Sequence, residues 1–365
     1  MYSKKLIYLP LEPYVERYTY LMSKVGGWAE DHFKNLGVKF CRVEGGLTSG
    51  SIKTGSVVDA YARSLWAMDQ TRKVVRMIES GEITNDDVIY TEDFWHPGIE
   101  SLFYIRDVAG LKFKIGCFMH AQSIDDSDFT ARMRPWIGDI ERGMSKGYDF
   151  VFVTSPILKR LAVEAGWDDS RLFLTGLPFN QKALVREYGS QINEGKERFV
   201  LFSSRFDLEK NPSFFMDLVE RCPDINFKLV KPRARLSNCD EIEKRAFSLA
   251  QTRANFEIVD TSSKEKYYNL LSRAEVQFNC AIQDWVSWTL LEAITFKCKP
   301  LYPKWKDFPF ELKDQQESLY DNQNLDDAEL KLRALMSRPF DKSLENITFR
   351  HDCSWAKKLG IMGLA

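Results

Sequence analysis

At 365 residues the chain exceeds the usual size of a single core, so two domains are the natural expectation. Hydrophobic residues at 44% and charged residues at 28% give an ordinary globular balance. A net charge of -1 excludes an overall field that would draw the protein to a polyanion, so any nucleic-acid contact must come from local patches.

Seven cysteines, an odd number without a CxxC pair, fall inside predicted elements, as at Cys41, Cys117 and Cys280. They read as free thiols of a reducing compartment. The apolar run Leu6–Pro10 is too short for a signal sequence and suits a strand. No apolar segment approaches membrane-spanning length. The expectation is a soluble, cytoplasmic protein with no membrane partner.

From the N-terminus, short β-rich runs alternate with helical patterns. Strands are predicted at Lys5–Leu9, Val38–Val43, Val88–Thr91, Phe113–Phe118 and Phe150–Thr154, with a weaker one at Leu172–Thr175. Val57–Glu79 carries Val58, Tyr61, Leu65, Met68, Val75 and Ile78 at helical spacing, closed by Gly81. Gln181–Lys196 is polar and holds Gly189 and Gly195, so it reads as a linker. A second series follows, with strands at Phe199–Ser203, Asn226–Val230, Asn255–Val259, Val276–Asn279 and Pro300–Tyr302. Its helices are Pro212–Arg221, Glu241–Gln251, Lys264–Arg273, Ser287–Lys297 and Asp326–Met336. The pattern predicts an α/β protein of two doubly wound, Rossmann-like domains facing a cleft, where a ligand is expected. The expected boundaries are 1–185, 186–345, and a helical segment at 346–365 packing back on the first domain.

Two stretches carry the chemistry. Ser203-Ser-Arg-Phe-Asp-Leu-Glu-Lys-Asn-Pro212 places Arg205 and Lys210 between a strand and a helix, with Asn211 as expected N-cap and Pro212 as first helical residue. Two cations before a helix N-terminus suit a diphosphate, although a solvated turn has the same composition. Gln283-Asp-Trp-Val-Ser-Trp-Thr-Leu-Leu-Glu-Ala293 places Asp284 and Glu292 across the loop and helix that follow another strand. Glu292 sits among Leu290, Leu291, Ala293 and Ile294, so its carboxylate needs a partner, which ribose hydroxyls can provide. Gly45-Gly-Leu-Thr-Ser-Gly50-Ser51 lacks the lysine of a P-loop, and no GxGxxG follows the first strand.

On these residues the chain resembles the retaining GT-B glycosyltransferases of the large family 4. That family carries an Arg and a Lys five apart, then an acidic residue and a Glu eight apart, as at Arg205, Lys210, Asp284 and Glu292. The resemblance spans the C-terminal half in order and includes Val259–Tyr268, where the family closes a loop over the nucleotide base. It implies that Arg205 and Lys210 bind a donor diphosphate, Glu292 the ribose, and Asp284 the donor sugar. Lys231 and Arg233, in the basic turn Lys231-Pro-Arg-Ala-Arg235, are further donor candidates. The chain departs from the family pattern in having Asp for the first Glu, and Trp285, Val286 and Ser287 in place of glycines.

In the N-terminal half, His120 ends a predicted strand, where family relatives have a His near the donor sugar. The alternative is a hydrogen-bonded core His. Thr91-Glu-Asp-Phe-Trp-His-Pro-Gly98 also follows a strand. Glu92 and His96 are acceptor-side candidates, and Asp93 is either a catalytic base or the cap of a helix beginning near Pro97. Asp126-Ser-Asp128 matches a metal motif of another fold, but its acidic residues suit the start of helix Phe129–Met144, and no metal or other cofactor is expected. Pro10–Thr19 resembles the opening of bacteriophage glycosyltransferases, some of which decorate hydroxymethylated pyrimidines in DNA, and so implies acceptor roles for Arg17 and Thr19. Lys231–Arg235, Lys112 with Lys114, and Lys304-Trp-Lys306 are local spots suited to DNA. The expected function is transfer of a sugar from a nucleotide-diphosphate donor, a UDP-sugar, to 5-hydroxymethylcytosine in phage DNA. A cell-envelope glycan or small-molecule acceptor is the alternative, and a non-catalytic nucleotide-sugar or DNA-binding module the rival of another class.

Overall fold

The computed structural model of the chain describes residues 4–13, 18–33, 36–46, 59–191, 195–231 and 236–364. Two compact units result. One comprises Met1–Phe179 with His351–Ala365, and the other Asn180–Arg350.

The first unit alternates β1 (Lys5–Leu9), α1 (Tyr18–Phe33), β2 (Lys39–Arg42), α2 (Ala60–Glu79), β3 (Val88–Thr91), α3 (Ile99–Val108), β4 (Lys114–Phe118), α4 (Arg134–Gly147), β5 (Phe150–Val153), α5 (Pro156–Glu164) and β6 (Leu172–Leu174). The strands form one parallel sheet in the order β2-β1-β3-β4-β5-β6. Its central strands are buried beyond their first residue, and β3 at every position, as expected where helices cover both faces. The order reverses between β1 and β3, which run in register with Leu9 beside Thr91. Their carboxyl ends therefore frame the crevice where such sheets take ligands.

Helix α2 presents a different face from the one its apolar spacing suggests. Tyr61, Leu65 and Met68 are exposed, and Ala62, Trp66, Ala67, Gln70 and Val74 are buried. The reason is polar. The Trp66 indole and the Gln70 amide both donate to the Pro10 carbonyl, at 3.0 and 2.9 Å, and Gln70 also donates to Val43 O. Trp66 packs so tightly that a Cβ on Gly45 would meet its ring at 2.5 Å. Asp59 caps the helix through Tyr61 N and Ala62 N. Helix α3 begins at Ile99, after Gly98 at φ +91°, and Asp93 does not cap it. Helix α4 begins at Arg134 rather than Phe129, because Asp128 caps a preceding turn through Thr130 N and Oγ1.

The second unit runs α6 (Gln181–Tyr188), β7 (Glu197–Phe202), α7 (Pro212–Arg221), β8 (Asn226–Lys231), α8 (Asp240–Thr252), β9 (Phe256–Asp260), α9 (Lys264–Arg273), β10 (Ala274–Phe278), α10 (Trp288–Thr295), β11 (Lys299–Pro303), α11 (Phe308–Glu311), β12 (Leu319–Tyr320) and α12 (Leu325–Met336). The sheet is again parallel, in the order β12-β11-β10-β7-β8-β9, with its reversal between β7 and β10. Phe202, Phe215, Phe227 and Phe278 fill the core, and Phe214 stacks on Phe278 and Tyr320. The expected linker begins as helix α6, whose Ala183, Leu184 and Tyr188 are buried and whose cap is Asn180, accepting from Ala183 N at 2.8 Å. Its polar composition hid that narrow apolar face.

Helix α13 (Glu345–Asp352) carries the chain back, and α14 (Ser354–Ile361) packs into the first unit. Lys358 is fully buried there. Its ammonium donates to Tyr90 Oη at 2.8 Å and lies 4.4 Å from the Phe118 ring centre and 4.7 Å from that of Trp355. Burial lowers its pKa to about 8, against the pull of Glu92. Among the described residues, no helix is long and apolar enough to cross a membrane.

Candidate functional site

The reversal of the second sheet brings the loops after β7 and β10 side by side. Residues 208–210 form a 3₁₀ turn, and Asn211 follows in the left-handed region at φ +52° without a capping hydrogen bond. Pro212 remains the first residue of α7. The turn aims Lys210 across to the second loop. Its ammonium donates to Gln283 O at 2.5 Å and lies 3.4 Å from Asp284 Oδ2. Glu209 O accepts from both Ile282 N and Gln283 N, at 3.0 and 3.1 Å. The two loops, far apart in sequence, thus form one hydrogen-bonded wall.

Arg205 is one-quarter exposed and held from behind by Glu209 Oε1 at 2.6 Å and Asp207 Oδ2 at 3.4 Å. Asp207 also accepts from Asn238 N at 2.9 Å. Arg205, Lys210 and Asp284 therefore converge on the switch point, with acidic neighbours that position the cations. The N-terminus of α10 lies just beyond Asp284, where Ser287 Oγ, Thr289 Oγ1 and Tyr302 Oη form a chain of hydroxyls at 2.7 and 3.1 Å.

Glu292 is buried on α10, and its partners are two phenols. Tyr267 Oη donates to Oε2 at 2.9 Å and Tyr268 Oη to Oε1 at 2.7 Å, with Lys264 Nζ 3.9 Å from Oε1. Each carboxylate oxygen accepts one phenol and keeps a second acceptor lobe. Burial, followed by the Glu292 charge, raises both tyrosine pKa values well above the usual range, so the phenols stay protonated donors. The lysine and the tyrosines belong to the segment that resembles the base-closing loop, but the sequence did not single them out. The signal was there: a carboxylate on a buried helix requires donors, and α9 supplies adjacent tyrosines. Lys231, by contrast, ends β8 with its ammonium 5.6 Å from the Phe247 ring centre. Arg233 lies outside the described residues.

In the first unit, the carboxyl ends of β1, β3 and β4 gather a second cluster. Arg63 of α2 donates to Glu12 Oε2 at 3.1 Å, to Asp93 Oδ2 at 3.2 Å and to Trp95 O at 3.4 Å. Asp93 also accepts from Trp95 N at 3.2 Å and from Gln122 Nε2 at 3.4 Å. Burial raises the Glu12 pKa and Arg63 opposes that rise. Glu12 and Arg63 were missed because their ion pair crosses 51 positions of sequence. His120 is partly buried, with Nε2 2.9 Å from Glu92 O and its ring edge-on to Phe118. Burial lowers its pKa despite nearby Asp93, so the neutral imidazole is favoured.

The other acceptor candidates lie elsewhere. Glu92 is 1% exposed and faces the core, with Tyr90 Oη 3.4 Å from Oε2. Burial raises its pKa and Lys358 lowers it. His96 is 2% exposed, 3.3 Å from Thr71 Oγ1, and burial brings its pKa down to about 3. Neither offers a surface to an acceptor, because both side chains turn into the packed layer behind the strand ends. Arg17 lies outside the described residues, and Thr19 falls in the backbone of α1. Asp126 pairs with Arg134, and among the described residues no group of three or more His, Cys, Asp or Glu is placed to hold a metal ion.

No protein-family model matches the chain, and no curated protein does. Solved structures do. Sucrose-phosphate synthase from Thermosynechococcus elongatus superposes with a TM-score of 0.68 at 14% identity, covering 98% of this chain and 97% of that one. A UDP-forming α,α-trehalose-phosphate synthase from Burkholderia xenovorans gives 0.69 at 12% identity over 100% and 99%. Anabaena HepE, in complex with UDP-glucose, gives 0.62 at 10% identity over 99% and 96%. At such identities the likeness is one of fold, and the two doubly wound units are those of the GT-B architecture.

Proposed function

We propose that this protein is a glycosyltransferase that moves a sugar from a nucleotide-diphosphate donor, a UDP-sugar in the first instance, to a hydroxyl acceptor. The observation that carries the reading is the joining of two loops by Lys210 at the switch point of the second sheet. Those loops bear the Arg, Lys and carboxylate that the chemistry requires, and of the solved structures with this fold one is named UDP-forming and another is in complex with UDP-glucose. In this reading Arg205 and Lys210 bind the diphosphate and offset the charge it gains on leaving. The 3.4 Å Arg205–Asp207 contact is long for a charge-assisted bond and is readily exchanged for phosphate oxygens. Glu292, 2% exposed and bonded to both phenols, reaches the ribose hydroxyls by exchanging Tyr267 or Tyr268 for them, Asp284 faces the transferred sugar, and no metal is assigned a role.

The acceptor is assigned to the Glu12–Arg63–Asp93 cluster of the first unit, with Asp93 and His120 as its candidate groups. Among the described residues, that cluster sets the Arg63 guanidinium against two carboxylates. This favours an uncharged hydroxyl compound, a glycan or small molecule. Hydroxymethylcytosine in DNA draws support from the sequence resemblance at Pro10–Thr19. Of the basic spots, Lys304 pairs with Asp321, Lys114 with Asp149, and Lys306 sits on Trp285.

The test is nucleotide release. Protein with UDP-sugars and a mixed panel of sugar and small-molecule acceptors is expected to release UDP and yield glycosylated product by mass spectrometry. A gain in mass on hydroxymethylcytosine DNA instead would select the DNA acceptor. Donor binding with no release under any acceptor would reduce the protein to a binding module.

A further inference from the structure

One aromatic residue stands beside the donor loops without a part in the reading above. Trp305 lies in the loop after β11, and β11 adjoins β10 in the sheet. Its indole N–H donates to Ile282 O at 2.8 Å. Ile282 N and Gln283 N donate to Glu209 O, and Lys210 donates to Gln283 O. A continuous run of hydrogen bonds therefore fixes Trp305 to the loops that carry Arg205, Lys210 and Asp284.

The same loop is fastened twice more. Lys306 Nζ lies 4.5 Å from the ring centre of Trp285, the residue after Asp284. Lys304 N donates to Tyr320 O at 2.7 Å and its ammonium pairs with Asp321. Lys306 adopts φ +47°, a conformation that costs a non-glycine residue energy and persists only where the surroundings impose it. The result is an indole whose one polar atom is satisfied and whose orientation is set, yet which remains 38% exposed. Ile282 beside it is 39% exposed. Most large aromatic rings gain by burial, and a rigid one exposed beside polar loops presents a flat apolar contact face.

We propose that Trp305 is a platform for the transferred sugar of the donor, one apolar C–H face of the sugar ring resting on the indole while Asp284 takes hydroxyls at its rim. This rests on the donor-site reading above. It makes Trp305 a specificity-determining residue rather than a catalytic one: it distinguishes nucleotide-sugar from bare nucleotide and one ring stereochemistry from another.

Calorimetric titration of wild type, Trp305→Phe and Trp305→Ala with paired probes tests it: UDP and UDP-glucose, GDP and GDP-mannose, ADP and ADP-glucose. For the pair that binds wild type, Trp305→Ala should weaken the nucleotide-sugar about three- to tenfold and the bare nucleotide less than about twofold. Trp305→Phe should keep most of the preference, since it retains a ring while losing the bond to Ile282. Equal weakening of both members of the pair, in either variant, would make Trp305 a structural brace and overturn the platform. No change in either would overturn it too. If wild type binds none of the nucleotides, the donor site itself fails, a result distinct from both.

Discussion

Replacing Arg63 by methionine removes the cation that stands between Glu12 and Asp93. The Arg63 and Glu12 side chains are 8% and 2% exposed and 3.1 Å apart. At an effective dielectric near 20 their attraction is about 5 kcal/mol. Part of this returns when the guanidinium need not be desolvated, so the loss expected for stranding a buried carboxylate is about 3–4 kcal/mol. For a unit of this size that is a fall in melting temperature of roughly 6–16 °C. Differential scanning calorimetry at neutral pH measures it, on the transition that near-ultraviolet signals assign to the first unit. The deficit should shrink as pH falls. Burial already raises the Glu12 pKa, and without Arg63 it rises further. The folded variant then takes up its proton at a higher pH than the unfolded chain, and a neutral carboxyl no longer pays for burial. Adding Glu12→Gln should recover at least half of the loss. A melting temperature within about 1 °C of wild type, or a double variant no better than the single one, would show that the pair is not what holds this edge of the sheet together.

Three further outcomes follow from the geometry. Lys210→Met should weaken UDP-sugar binding about ten- to hundredfold by calorimetry, the worth of a charge-assisted bond, and unchanged affinity would remove Lys210 from the donor site. Glu292→Gln should lower urea-measured stability by about 1.5–3 kcal/mol, because two buried phenols lose an ionic acceptor, and an unchanged unfolding midpoint would contradict those contacts. Lys358 gives a pH dependence: its folded pKa is about 8 against 10.5 for the free side chain, so the unfolded chain binds more protons between those values. Stability relative to Lys358→Met should therefore rise with pH across that window, by up to about 3 kcal/mol, and a flat difference curve would refute the shift.

Much of this architecture was legible in the sequence. Runs such as Val88–Thr91 and Phe150–Val153 are apolar on both faces, as strands under two helical layers must be, so both sheets could be read. The two loops that carry Arg205, Lys210 and Asp284 could be placed because each lies between a strand and a helix. What could not be read is what side chains do on leaving those elements. Helix α2 turns on the polar atoms of Trp66 and Gln70, which an apolar count ignores. Glu92 and His96 follow a strand, yet turn inward. Arg63 meets Glu12 and Asp93 only after the chain has folded, across 51 and 30 residues. The Asn211 cap failed because a 3₁₀ turn reaches it first and sets a left-handed backbone there.

The return of the chain to its first unit has a consequence for biosynthesis. Trp355, Lys358 and Leu359 are core residues of a sheet whose strands are all made before Thr175. On the ribosome that sheet must wait for all of Asn180–Arg350 to be made, a delay on the order of ten seconds or more at ordinary elongation speeds. During it the seat for α14, lined by Tyr90, Phe118 and Phe152, stands open to water. The second unit has no such debt and can close as it emerges. The half made last is thus the half able to finish first, and the nascent first unit is where chaperone occupancy should concentrate.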